Sequence, residues 1–185
     1  AMGDAEEGYR LATDEQAMAR REMTTSLILN VRSISSAFSA AEKLTDLAEQ
    51  DAQAVSAAKD ERERAELMAL LGIREGERVA PTLRAQVRRL EDQQKRRAKR
   101  VASDTLLHSV AQVQTVLRDA LTLSLSAQLP LINEHLREPL TAWCERRSPE
   151  QLLQDVQAVE ITLRRLRTNA NARLALEALM SRFVA

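Results

Sequence analysis

Residues 33–71 contain no glycine and no proline, and this constrains the fold more than any other feature of the chain. A stretch of that length built from Ala, Glu, Lys, Gln and Leu reads as one very long helix, because these residues favour helix and nothing interrupts the backbone hydrogen bonds. Its apolar face is thin and alanine-rich: Ile34, Phe38, Ala41, Leu44, Ala48, Ala52, Val55 and Ala58. Gly72 suits the residue after a helix end, and residues 72–81 form a polar connection. A second long run follows Pro81. Leu83, Val87 and Leu90 start its stripe, which dissolves into residues 93–100 and resumes at Val101 through Leu106, Val110, Val113, Leu117, Leu121 and Leu125. This predicts a helix to about Gln128, ended by Pro130. Aromatic residues are only 2% of the chain and Gly and Pro number four each, which disfavours sheet. The expected fold is all-α, a helical bundle with a long antiparallel helical hairpin within residues 33–128.

Charge supports pairing of the two runs. Over residues 40–66 eight acids face four bases, and over residues 84–100 eight bases face two acids. Opposite charge on paired arms selects register and orientation. Each exposed pair contributes only about 0.2–1 kcal/mol, so it chooses the pairing rather than stabilising it.

The flanking segments read as shorter helices. Thr13 with Gln16 fits a capping box, followed by Met18, Met23, Leu27, Ile28 and Val31 at helical spacing. A turn at Pro130 leads into a helix through Leu136, Leu140 and Trp143, with Pro139 near its first turn. Ser148 then caps a helix that takes Pro149 at its first position and closes a capping box with Gln151. Leu152, Val156, Val159, Leu163 and Leu166 form its stripe, and a final helix carries Leu174, Leu176, Leu179, Met180 and Phe183.

Candidate chemistry is sparse. The 27 basic and 27 acidic residues cancel, so an argument for nucleic acid or membrane has to be local. Gly3, Gly8, Gly72 and Gly76 are the only glycines and none precedes Lys, which excludes a phosphate loop of the Gly-x-x-x-x-Gly-Lys type. His108 and His135 lie far from each other and from Cys144 in sequence, so no metal-ligand spacing appears. His108 reads as a surface or packing residue and Cys144 as small apolar packing. A single Cys gives no disulfide framework, and no apolar run approaches the roughly 18 residues of a membrane span. The basic run at residues 84–100, with Arg96, Arg97, Lys99 and Arg100 at its centre, is the one sharp candidate, as a phosphate-binding face. It lacks interleaved aromatics for stacking on single strands, and a solvated, arm-pairing face is the plainer reading. No catalytic, cofactor-binding or metal-binding residue is expected.

Three stretches carry a family resemblance: Arg10-Leu11-Ala12-Thr13-Asp14-Glu15, then Leu129-Pro130-Leu131-Ile132-Asn133-Glu134-His135-Leu136 with the Ser148-Pro149-Glu150-Gln151 cap, then Asn171-Ala172-Arg173-Leu174-Ala175-Leu176-Glu177-Ala178-Leu179. They resemble the C-terminal part of the delta-prime subunits of bacterial DNA polymerase III, in particular actinobacterial members with an Ala- and charge-rich hairpin insertion. The resemblance implies that residues 1–12 end a preceding lid domain, behind a cloning remnant at Ala1-Met2-Gly3, and that residues 13–185 form a C-terminal collar domain. It implies a non-catalytic, cytoplasmic oligomerisation role in the clamp-loader ring of AAA+ ATPases. The partners would be delta and gamma/tau-type subunits through the collar, and the sliding clamp and primed DNA through the whole complex, with no membrane and no small-molecule substrate. The family's AAA+ core and its Ser-Arg-Cys motif are not in this sequence, and Glu6-Glu7 stands where the family often has Gly-Arg. Leu174, Leu176 and Leu179 are expected in the inner core, and Arg147, Arg165, Asn171 and Arg173 at contacts to neighbouring subunits. The alternative is a nucleic-acid-binding hairpin acting through residues 84–100.

Overall fold

The structure, a computed structural model, describes residues 15–74, 77–168 and 170–184. Among these there are six α-helices and no strand. They are α1 (Glu15–Leu29), α2 (Ile34–Leu70), α3 (Arg84–Ser124), α4 (Arg137–Cys144), α5 (Pro149–Arg167) and α6 (Ala172–Ser181), with a 3-10 turn at Glu134–Leu136 before α4. The expected Thr13 capping box and the segment 1–12 lie outside the described residues.

The chain divides into two compact units, and the division falls inside the two long helices. The first comprises residues up to Thr45 together with Leu106–Ala185; the second is Asp46–Thr105.

The first unit holds the larger core. Ile28 and Val31, Ala37, Ala41 and Leu44 at the start of α2, and Leu106, Val110, Val113, Val116, Leu117 and Ala120 on α3 are buried. Leu140 and Trp143 of α4, Leu152, Val159 and Leu166 of α5, and Leu176, Leu179, Met180 and Phe183 complete it. The C-terminal helices form an antiparallel pair: Arg182, just past α6, reaches back to Asp155 near the start of α5. Ser148 caps α5 as its sequence predicts. Its Oγ accepts from the Gln151 amide at 3.3 Å, and Gln151 Oε1 accepts from the Ser148 amide at 2.9 Å.

The second unit is a narrow antiparallel hairpin. As residue numbers rise on α2, the α3 partners fall: Asp60 and Glu63 meet Arg97, while Arg64 meets Glu91 at 3.7 Å. Only Ala48, Ala52 and Val87 are buried apolar residues here, with Ser56 beside them. The expected stripe is therefore thinner than its spacing suggests, and Val55, at 69% exposure, faces solvent.

Both long helices end in the same backbone motif with different residues. At α2, Ile73 N donates to Met68 O and Gly72 N to Ala69 O, with Gly72 at φ 70°. At α3, Ala127 N donates to Thr122 O and Ser126 N to Leu123 O, with Ser126 at φ 51°. These are Schellman ends. The second closes α3 at Ser124, short of the expected Gln128, because the left-handed residue at 126 reverses the chain before Pro130 is reached. A side chain at φ near +50° costs about 1 kcal/mol, which glycine avoids. Ser126→Gly is therefore expected to raise stability by about 0.5–1 kcal/mol in urea denaturation. Gly72→Ala should lower it by about 1 kcal/mol, through backbone strain alone, since an added Cβ at Gly72 meets no atom within 4 Å.

Candidate functional site

Two buried polar clusters hold the first unit in shape. In one, the Asp119 carboxylate of α3, fully buried, accepts from the Ile132 amide at 3.0 Å, the Asn133 amide at 2.7 Å and Asn133 Nδ2 at 2.8 Å. Arg118 Nη1 donates to Asp119 at 2.8 Å and to the Pro130 carbonyl at 2.7 Å. Asn133 Oδ1 accepts from Gln112 Nε2 at 3.0 Å, and Gln112 accepts from Arg21 Nε of α1 at 3.2 Å. The loop between α3 and α4 is thus fastened to α3 by side chains rather than by apolar packing. Burial alone would push the Asp119 carboxyl up, but the two amides, Arg118 and Asn133 together outweigh it and hold it below the usual carboxylate range.

In the other cluster, Arg147 lies between an acid and two rings. Its Nη1 donates to Asp155 Oδ2 at 2.8 Å, with side-chain exposures of 6% and 3%. Its guanidinium carbon sits 4.4 Å from the Trp143 ring centroid and 5.8 Å from that of Phe183, and the two rings meet edge to face at 6.1 Å. Arg182 Nε donates to Asp155 Oδ1 at 3.0 Å, and the Arg182 carbonyl accepts from both Arg147 Nη atoms at 3.4 Å. Burial pushes the Asp155 carboxyl up, against the pull of both guanidinium groups. One cation therefore joins the end of α4, the start of α5 and the chain after α6.

The remaining candidates fall as follows. Arg147, expected at a contact to a neighbour, is turned inward in this cluster. Asn171 caps α6, accepting from the Leu174 amide at 3.1 Å. Arg173 is exposed and pairs with Glu177 at 2.9 Å and with Glu42 of α2 at 3.2 Å. Arg165 is exposed on α5. Leu176 and Leu179 are buried as expected, but Leu174 is 62% exposed and does not belong to the core. The reason is helical phase: the inward face of α6 runs through Ala175, Leu176, Leu179 and Met180, which leaves Leu174 outside.

Leu174 is one of several large apolar residues on the surface of this unit. Leu153 and Ile161 of α5 are 50% and 41% exposed. They lie two turns apart on one face, with exposed Gln157 between them and Arg164 and Arg165 beside them. Ile34 and Phe38, 52% and 45% exposed, are neighbours one turn apart on α2. Both were expected in the apolar stripe. The next turn carries Glu42, which Arg173 reaches, so the start of α6 with Leu174 lies alongside the same end of α2.

Of the basic run, Arg97 is committed to the hairpin seam. It donates to Asp60 and, at 2.9 and 2.7 Å, to Glu63, while Gln94 Nε2 donates to the Asp60 carbonyl at 2.9 Å. The hydrogen bonds from Arg97 hold Glu63 below the usual carboxylate range. Arg96, Lys99 and Arg100 are exposed.

Cys144 donates to the Ala120 carbonyl at 3.4 Å and burial pushes its thiol up, so it is a packing residue with little thiolate character. His108 and His135 are exposed on the surface. No group of three His, Cys, Asp or Glu able to hold a metal occurs among the described residues, and no described helix is long and apolar enough to cross a membrane.

Residues 98–184 match the family described as DNA polymerase III, delta subunit, C terminal. No curated protein and no solved structure matches the chain. The matched segment begins within α3 and takes in α4, α5 and α6, so it holds both buried clusters. The match supports a clamp-loader subunit of DNA polymerase III, and the C-terminal domains of such subunits are non-catalytic in general.

Two outcomes follow from the clusters. Asp155→Asn leaves the Arg147 guanidinium buried without its counter-charge and should cost about 3–5 kcal/mol in chemical denaturation. Asp119→Asn replaces one acceptor oxygen by a donor facing other donors, at about 1–3 kcal/mol. Because the Asp119 carboxyl is lowered in the native state, the unfolded chain binds the extra proton. Its contribution is complete above the ordinary Asp value of about 3.9 and is lost as pH falls through the native one. The loss of stability below about pH 4 should therefore be shallower in Asp119→Asn than in the unsubstituted chain, read from urea midpoints across an acid series.

Proposed function

We propose that this chain is the C-terminal part of a delta-prime clamp-loader subunit and that its first unit serves as a collar domain joining neighbouring subunits. The observation that carries this reading is the presence of two separate apolar surfaces on a unit whose core is already filled. One is Leu153 and Ile161 of α5, with Arg165 at its border. The other is Ile34 and Phe38 of α2 with Leu174 of α6, and Arg173 at its border. A member of a ring contacts a different neighbour on each side, so it needs two unlike faces rather than one self-complementary face. Apolar residues bordered by arginine are the usual make-up of a protein interface. Arg165 and Arg173 remain as contact residues, whereas Arg147 and Asn171 serve the fold of the unit itself.

The delta-prime assignment is supported by the resemblance of the three stretches named above and by the match of residues 98–184 to a delta-type C-terminal domain. In this reading the partners are delta and gamma/tau-type subunits, ATP chemistry occurs in other domains and subunits, and the protein works in the cytoplasm. The sliding clamp and primed DNA are met by the assembled complex.

Mass measurement of the chain mixed with delta and gamma/tau-type subunits tests this. Leu153→Asp with Ile161→Asp should abolish association with one partner, and Phe38→Asp with Leu174→Asp association with the other. Each double variant should keep its urea midpoint within about 0.5 kcal/mol of the parent, since the substituted positions are exposed. Assembly that proceeds unchanged in both variants, or a chain that joins neither partner, removes the proposal.

A further inference from the structure

The outer face of α3 in the second unit is a continuous array of cations that the hairpin does not use. Gln94 and Arg97 face α2 and Val87 is buried, which fixes the inward side of the helix. With 3.6 residues per turn, Arg88, Lys95 and Lys99 fall in one row on the opposite side, and Arg89, Arg96 and Arg100 in the adjacent row. All six are exposed. None forms an ion pair among the described residues, whereas Arg97 alone takes Asp60 and Glu63. The acidic arm therefore neutralises the seam and leaves the outer face charged. Asp92 is the one carboxylate on that face, because Glu91 turns toward Arg64. The six cations lie within roughly 18 Å of helix, at 1.5 Å per residue. Acids further away are screened over a Debye length of about 10 Å at 0.1 M salt, so the zero net charge of the chain does not cancel the local field.

The chemistry of the face selects its occupant. No large apolar side chain is exposed between Leu70 and Leu125. A protein interface needs apolar or aromatic anchors at its centre, and a membrane-surface helix needs an apolar side to bury; this face has neither. Arg, Lys and the exposed Gln93 match phosphate oxygens, which take such side chains without regard to base sequence. The absence of aromatic platforms counts against single strands. We infer that the outer face of α3, through Arg88, Arg89, Lys95, Arg96, Lys99 and Arg100, is a sequence-independent contact surface for the phosphate backbone of double-stranded nucleic acid. This rests on the hairpin alone and does not depend on the subunit role proposed for the first unit.

Fluorescence anisotropy of the whole chain with labelled DNA duplexes of about 20 base pairs, in two unrelated sequences, tests this over roughly 50–200 mM salt. Both duplexes should bind alike, with a log–log salt slope of about −5 if all six cations reach phosphates. Arg88→Gln with Arg96→Gln and Arg100→Gln should flatten the slope by about 2–3 and weaken binding at least about tenfold at 100 mM salt. Glutamine keeps the helix, as circular dichroism will register. Lys59→Gln with Arg62→Gln, which removes cations from the other arm, should bind like the parent. The inference fails if binding is absent or insensitive to salt, if the α3 variant equals the parent, or if single strands bind as tightly as duplex. It also fails if polyglutamate of equal charge competes as well as duplex, which would make an acidic protein the occupant.

Discussion

The first unit depends on one desolvated cation. Arg147 leaves α4, stacks on Trp143, reaches Asp155 on α5 and holds the carbonyl of Arg182 beyond α6. Three segments meet at a single guanidinium, and each supplies a different kind of partner: a ring face, a carboxylate and a backbone oxygen. A planar donor fork can satisfy all three at once, which the point charge of a lysine cannot. A buried pair of this kind is weak evidence for raw stability but strong evidence for a unique arrangement, because every misaligned packing of α5 and α6 would strand a charge. The Asp119 cluster plays the corresponding part for the loop before α4, gathering the amides that the loop's lack of regular structure leaves without partners.

Helix positions were readable where local chemistry decides them. The Ser148, Pro149 and Gln151 cap, the stop at Gly72 and the phases of Leu152, Val159 and Leu166 all follow from neighbours in sequence. What escaped is what distant residues decide. Asp155 occupies an inward position between Leu152 and Val159, and an acid in an apolar stripe was a usable sign of a buried counter-charge. Its partner could not be named, since Arg146, Arg147 and Arg182 are equally basic in sequence and only the fold selects among them. Asn133 belonged to a recognisable stretch, but nothing local marks it as the hub that ties Gln112 to Asp119. The end of α3 was misplaced because a serine at a left-handed position carries no signal comparable to that of Gly72.

Surface apolar residues were the other blind spot. Ile34, Phe38 and Leu174 fit helical periodicity and were read as core, yet periodicity reports a stripe without saying what covers it. Alanines next to them, at Ala37, Ala41 and Ala175, take the buried positions instead. Close approach of helix backbones through alanine leaves the larger neighbours outside. That arrangement is what gives the first unit apolar surface to spend on partners. The second unit shows the reverse: its outer face is built from long charged side chains, and its seam relies on Arg97 and Gln94 more than on apolar contact.

Both α2 and α3 run through the boundary between the units without a break in helix. The hairpin therefore behaves like a telescoping ruler rather than a hinged flap. Taking one heptad from each arm would shorten it by about 10 Å while turning both helices through two nearly whole revolutions. Every inward residue would keep its bearing, and the bundle at residues 106–124 would be unaware of the change. Length can drift in such an arm over evolutionary time at little cost to folding, so reach is the property most open to selection.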